Sequence, residues 1–292
     1  MNSKLSTGSK IFNIFNYTFV TLISLTMILP FVHILAKSFS SGSAIAEGDV
    51  FFWPVEWDLT NYAYVFQDAS IWRAFGISVL ITVVGTGINL IATASLAYPL
   101  SRAEYKGRKL VLLGVLFTMI FSAPLIPTYL VIKELGMINT LWALMIPNAI
   151  SAFNFLVMRS FFVQIPPSLI DAARIDGCSE MGILMKIVLP FSKPVMATMT
   201  IFYGVYHWNS YQTALYFLND PSLYPLQVKL RQLIQTDDLN IDVETTMSAA
   251  FMNSTEGIQM ATIIIATIPI LIIYPLLQKH FVKGVMIGSI KE

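Results

Sequence analysis

Six stretches of this chain, at about residues 11–36, 75–100, 110–132, 136–158, 195–219 and 257–278, contain no Asp, Glu, Lys or Arg. A run of about 20 apolar residues is what one helix needs to cross a hydrocarbon layer ~30 Å thick. A soluble domain carries about a quarter charged residues, whereas here 12% are charged and 55% are apolar or aromatic. The expected fold is therefore an all-α membrane protein, with six transmembrane helices forming a single transmembrane domain over residues 1–292.

The first run follows Lys4 and Lys10, is too long for a secretory signal and lacks a small-x-small cleavage site before Lys37. It reads as a retained helix. Gly85, Gly87, Ala92, Ala94 and Ala97 give the second run small faces for close helix packing. Pro124 and Pro127 are expected to bend the third run, Lys133 and Glu134 to mark a tight turn after it, and the fourth contains Pro147. Six spans put both termini on one side. With that side inside, the internal segments hold thirteen of the eighteen Lys and Arg, and the external loops hold twelve of the seventeen carboxylates. The positive-inside rule then makes both termini cytoplasmic, residues 165–194 a cytoplasmic loop and residues 220–256 an external one. The single cysteine, Cys178, excludes an internal disulfide and reads as a small apolar residue.

Residues 165–194 read IPPSLIDAARIDGCSEMGILMKIVLPFSKP, a stretch rich in charges and turn residues between two apolar spans. Pro166 and Pro167 predict an extended approach, and Ser168-x-x-Asp171 resembles a capping pattern. A short helix is expected from about Leu169 to Asp176, stopped by Gly177. A second, capped by Ser179, should end at Pro190. Helical spacing places Leu169, Ala172, Ala173 and Asp176 on one face, where two small residues let a groove wall come close. The pattern predicts a docking element for a soluble partner.

No span carries an ionisable acid or base at its centre, which argues against an ion or proton relay and hence against a self-sufficient carrier. HExxH, CxxC and GxxxxGK[ST] are absent, so neither a membrane enzyme nor a nucleotide site is indicated. Transport energy would have to arrive from another chain. His33 and His207 read as hydrogen-bonded structural histidines. Asn89, Asn148, Asn154, Asn209, Tyr203, Tyr206, Trp208 and Tyr211 place amides and rings in apolar surroundings. Left unpaired, each such group costs about 1–3 kcal/mol. They can bond helix to helix, or line an aromatic passage suited to hydroxyl-rich solutes. The candidate path residues are Asn148, Asn154, Tyr206, Trp208, Asn209 and Tyr211.

At Asp171-Ala172-Ala173, Asp176-Gly177, Ile187-x-Leu189-Pro190 and Pro194 the chain resembles the EAA loop of ABC importer permeases. Asp171 stands where that motif usually has Glu, and Cys178 where it usually has Ala. Trp208-Asn209, Tyr224-Pro225-Leu226 and Phe281-Val282-Lys283-Gly284-Val285 with Gly288 are similar to the carbohydrate, MalG-like group, including permeases of the LplC/YtcP type. The resemblance implies a MetI-like permease fold in a multi-pass protein of the bacterial cytoplasmic membrane. It implies a non-catalytic subunit that translocates oligosaccharides derived from a polysaccharide; a polyol or glycerol phosphate is the alternative solute. A phosphate ester should favour a basic lining, and no Lys or Arg lies deep in any span. The implied partners are a MalF-like permease, two cytoplasmic ATPases and an extracytoplasmic solute-binding protein, with no nucleic acid. No cofactor is expected on this chain, ATP and Mg being held by the ATPases. Asp171, Ala172, Ala173, Arg174, Asp176 and Gly177 would dock the ATPase. Residues 220–256 would reach the binding protein and the tail from Lys283 the ATPase interface.

Overall fold

The computed structural model describes residues 7–239, 255–273 and 275. Among them every regular element is helical, and the only strand-like feature is an isolated bridge between Ser40 and Trp57. The described chain divides into two compact units.

The first unit comprises residues 7–69, 230–239 and 255–267. Its α1 (Thr7–Ser38) spans 32 residues and has no charge between Lys10 and Lys37. At 1.5 Å per residue it is about 48 Å long. Only 6% of its apolar window is buried, which suits a helix whose solvent is lipid. Ser41 then caps α2 (Gly42–Glu47), and Gly48, at φ 80°, closes it. Buried Asn61 of α3 (Thr60–Gln67) donates to the Ser40 carbonyl at 3.1 Å. Lys37 pairs with Glu256 at 2.5 Å.

The second unit comprises residues 70–229 and the described residues from 268 onward. It is built on α4 (Ala69–Ser101), whose Gly85, Thr93, Ala94 and Ala97 are buried, Gly85 directly against the His207 ring. Then follow α5 (Arg108–Ile120), α6 (Leu125–Glu134), α7 (Trp142–Met145), α8 (Ala152–Val163), α9 (Pro167–Ile175) and α10 (Glu180–Ile183). A π-helical turn, Leu184–Val188, leads into α11 (Leu189–Phe191), α12 (Lys193–Trp208) and α13 (Gln212–Phe217). The helices α14 (Leu226–Leu239) and α15 (Thr255–Ile273) complete the order. One core joins α4, α8, α9, α10 and α12 through Tyr98, Leu100, Phe155, Met158, Phe162, Ile170, Ile183 and Met199. A second gathers Ile81, Ile132, Leu144, Met145, Ala214 and Phe217.

The spans are less regular than hydropathy suggests. Among the described residues three helices are long and apolar enough to cross a membrane, or up to six if each of three sharply bent helix pairs counts as one span. The bend expected in the span at 110–132 is present and sharp: α5 and α6 meet at 120°, because Pro124 is held extended at ψ 159° as the cap of α6. The turn after it centres on Gly136, at φ 68°, rather than on Lys133-Glu134. The expected span at 136–158 is helical mainly in α8, since residues 146–151 carry no regular structure. The span at 195–219 breaks after Trp208 and resumes at Gln212. The expected 257–278 helix runs to Ile273 within the described residues. Of the external loop 220–256, residues 226–239 form α14, while residues 240–254 and the tail from Lys283 lie outside the described residues.

Candidate functional site

The loop helix begins two residues earlier than its serine suggests. Pro167 is its first residue and Pro166 its cap, with no side-chain capping bond, so Ser168 does not act as the N-cap. Proline suits that position because its missing N–H would have had no partner. At the other end Gly177 adopts φ 82°. Its N–H bonds the Arg174 carbonyl at 3.0 Å, and the Cys178 N–H bonds the Ala173 carbonyl at 2.9 Å. These are the two bonds of a Schellman cap. The Ser179 side chain caps α10 by accepting from the Gly182 N–H at 3.2 Å. Pro190 does not end the segment. The π-helical turn precedes it, and the break falls at Ser192, where the axis turns by 86° into α12.

The two alanines expected on one face part company. Ile170 and Ala173 are buried, with Leu169 packed beside them, whereas Asp171, Ala172 and Asp176 face outward. Between them Ile175 is 86% exposed. Three-residue spacing from Ile170 to Ala173 puts Ile175 on the opposite face, so the sequence carries this signal once the buried face is known. Met181 and Met185 add exposed apolar surface nearby. The accessible face is thus an apolar knob flanked by carboxylates.

Arg174 ties this helix to the bundle. Its guanidinium contacts Glu180 at 2.8 Å, Glu104 at 3.3 Å and Asp171 at 3.4 Å. Glu180 in turn accepts from the Tyr98 hydroxyl at 2.6 Å, and this bond, ahead of Arg174, holds its carboxyl below the usual glutamate range. Arg102 lies 5.3 Å over the Tyr98 ring and donates to the Phe162 carbonyl at 3.1 Å. Arg159 donates to the Leu100 carbonyl at 2.8 Å. Single exposed pairs contribute little, but here a network fixes α9 against the ends of α4 and α8.

A second group of polar residues surrounds the break in the fourth span. Nonhelical backbone at membrane depth is tolerated only when protein groups satisfy it or it lines a cavity. Asn89, fully buried in α4, donates to the Asn148 carbonyl at 2.6 Å and the Ala149 carbonyl at 3.1 Å. The Tyr203 hydroxyl accepts from the Ser151 N–H at 3.2 Å and lies 2.7 Å from Thr93 Oγ1. The Asn148 side chain points outward, within hydrogen-bonding reach of Tyr206. Phe153 and Phe202, rings 6.4 Å apart, continue this exposed wall.

The six candidate path residues therefore divide. Asn148 and Tyr206 come together on the wall, and Phe153 and Phe202, not anticipated, join them. Asn209 lies on the same helical stripe but turns its amide back to the Val205 carbonyl at 2.9 Å. Asn154 is buried, and Tyr211 packs against the second core. Trp208 is buried beside Thr82, Thr86 and Gly204 at a cavity of about 390 Å³ on another side of α12.

A chain of apolar spans, two of them broken within their apolar runs and one of those breaks held by the buried Asn89 amide, has the architecture of a membrane transport protein. It belongs to the family of binding-protein-dependent transport system inner membrane components, whose model matches residues 105–287. Over 284 residues it is 45% identical to Protein LplC of Bacillus subtilis, covering 97% of this chain and 96% of that protein. It is 40% identical over 283 residues to the polygalacturonan/rhamnogalacturonan transport system permease protein YtcP of Bacillus subtilis, covering 97% of this chain and 99% of that one. Among solved structures, a bacterial ABC transporter involved in the import of the acidic polysaccharide alginate superposes with a TM-score of 0.89 at 34% identity, over 96% of this chain and 100% of that chain. The fold is accordingly the MetI-like permease fold.

Proposed function

We propose that this chain is one of two permease subunits of an ATP-driven importer for oligosaccharides released from a complex polysaccharide such as a polyuronide. The reading is carried by the exposed wall of Asn148, Phe153, Phe202 and Tyr206 beside a broken span. Amides can donate and accept to sugar hydroxyls, and flat rings can cover a sugar face. The polysaccharides for which YtcP and the alginate transporter are named support the substrate class. Both termini lie on the cytoplasmic side, together with α9. There Ile175, flanked by Asp171, Ala172 and Asp176, enters a groove on a cytoplasmic ATPase, while Ala173 supports the helix from beneath. A second, MalF-like permease closes the passage, an extracytoplasmic binding protein delivers the sugar, and ATP with Mg is held by the ATPases.

The test is reconstitution of the chain in liposomes with its partner permease, ATPase and binding protein. Uptake of labelled oligogalacturonides or alginate oligomers should require both ATP and the binding protein. Uptake of glycerol phosphate but of no oligosaccharide would reject the substrate class, and uptake by this chain alone would reject the subunit reading.

A further inference from the structure

The break in the fourth span is held by a side-chain clamp. Both hydrogens of the Asn89 amide are spent on the carbonyls of Asn148 and Ala149. Its Oδ1 is therefore an acceptor, and His207 Nε2, 2.7 Å away, must carry a proton and donate to it. Reversing the Asn89 amide would set its oxygen against two carbonyl oxygens, so the tautomer of His207 follows from the backbone it serves. Asn89 is 0% and His207 1% exposed. The imidazole fits only because position 85 is glycine: a Cβ there would meet His207 Nε2 at 2.6 Å, Cε1 at 2.7 Å and Cδ2 at 2.9 Å. On the far side of the break Tyr203 holds the Ser151 N–H.

The clamped stretch is continuous with the loop helix. Ser151 caps α8, α8 runs 12 residues to Val163, and α9 follows after a 73° bend. One end of this bent helix pair carries the exposed Ile175 face and the other the clamped break, from which Asn148 reaches the wall. A displacement at α9 that tilts α8 must either carry the clamp along or pull on it.

The geometry points to Asn89, His207 and Gly85 as positioning residues that set the break of the fourth span, and so convert movement of α9 into opening or closing of the wall at Asn148. This rests on the transport reading above. It assigns to three buried residues a role in coupling rather than in contact with the solute.

The assembled transporter tests it through the number of oligosaccharides imported per ATP hydrolysed, a ratio that a merely structural loss of folded complex leaves unchanged. Gly85→Ala, which drives a methyl into the imidazole, should lower this ratio about fivefold or more, the lower end of ordinary coupling free energies. Asn89→Leu should do the same. His207→Ala removes the ring that Gly85→Ala strikes, so the double variant Gly85→Ala/His207→Ala should match His207→Ala alone. An unchanged ratio in Gly85→Ala, or a double variant more impaired than His207→Ala alone, would overturn the assignment, even if Asn89→Leu fails to assemble. A second readout needs no sugar. In a Cys178→Ala background, Asn148→Cys should react with a water-soluble maleimide in only one of the nucleotide-free and ATP-bound states, and in both once Gly85→Ala is added. Equal labelling in both states without Gly85→Ala would sink the clamp while leaving the import reading intact. Failure of the unaltered complex to import any oligosaccharide would count against that reading and leave the labelling result standing.

Discussion

Gly177 has open space around it, with no atom within 4 Å of where a Cβ would sit, yet it stands at φ 82°. Strain, not collision, is what a side chain would bring to it. Gly177→Ala should weaken the Schellman closure by about 1 kcal/mol, roughly a fivefold rise in amide exchange at Gly177 and Cys178. Gly177→Asn should fall between the two, because asparagine tolerates the left-handed region better than alanine. Equal exchange in all three proteins would show that the closing turn does not depend on the glycine. A bulkier substitution should also obstruct a partner's approach, so a loss of ATPase binding larger than the exchange change predicts would separate docking from strain. Of the residues in this loop, the glycine stop is plain from sequence, since few other residues end a helix that way. The outward isoleucine is not, because Ile175 looks like another core residue until the buried face is known to hold Ile170 and Ala173.

The helix α9 has two isoleucines with opposite duties. Ile170 is 2% exposed inside the core, and Ile175 is 86% exposed outside it. Ile170→Ala should cost about 2–4 kcal/mol through lost packing and the cavity left behind, read as a lowered thermal midpoint of the purified complex. Ile175→Ala should change stability by less than about 0.5 kcal/mol but weaken association with the ATPase. If both shifted the midpoint alike, the assignment of faces would be wrong. The same element shows where sequence patterning is strong. Pro166, Pro167 and Gly177 punctuate α9, so its existence and limits are legible to within about two residues. The broken spans are not. Hydropathy scores Ile146-Pro147-Asn148-Ala149-Ile150 as membrane material whether or not it is helical. What permits the break is Asn89, 59 residues away from Asn148, and no local pattern carries that partnership. Pro190 misleads for a related reason, since the π-helical turn ahead of it lets the segment continue through a residue that usually ends one.

Across the whole chain, charge is kept out of the apolar runs: none of the six holds an Asp, Glu, Lys or Arg. The wall at Asn148 and Tyr206 therefore offers hydrogen bonds and ring faces but no countercharge. An acidic oligosaccharide passing it would have its charge met by another subunit or by water. A neutral one would need nothing more than the wall supplies. This makes Asn148→Asp a probe of both substrate class and path. The substitution barely changes shape, leaves the backbone carbonyl that Asn89 holds, and adds one negative charge where the side chain is exposed. Two like charges ~4 Å apart repel by about 1 kcal/mol in water and about 4 kcal/mol at the effective dielectric of a protein surface. Import of an acidic oligosaccharide should therefore fall by about fivefold to several hundredfold, with neutral oligosaccharides of equal length much less affected, both measured as uptake per assembled complex. Equal loss for both would mean that Asn148 matters for the shape of the break alone. No loss for either would place the path elsewhere, and the cavity beside Trp208 on the other side of α12 would become the next surface to test.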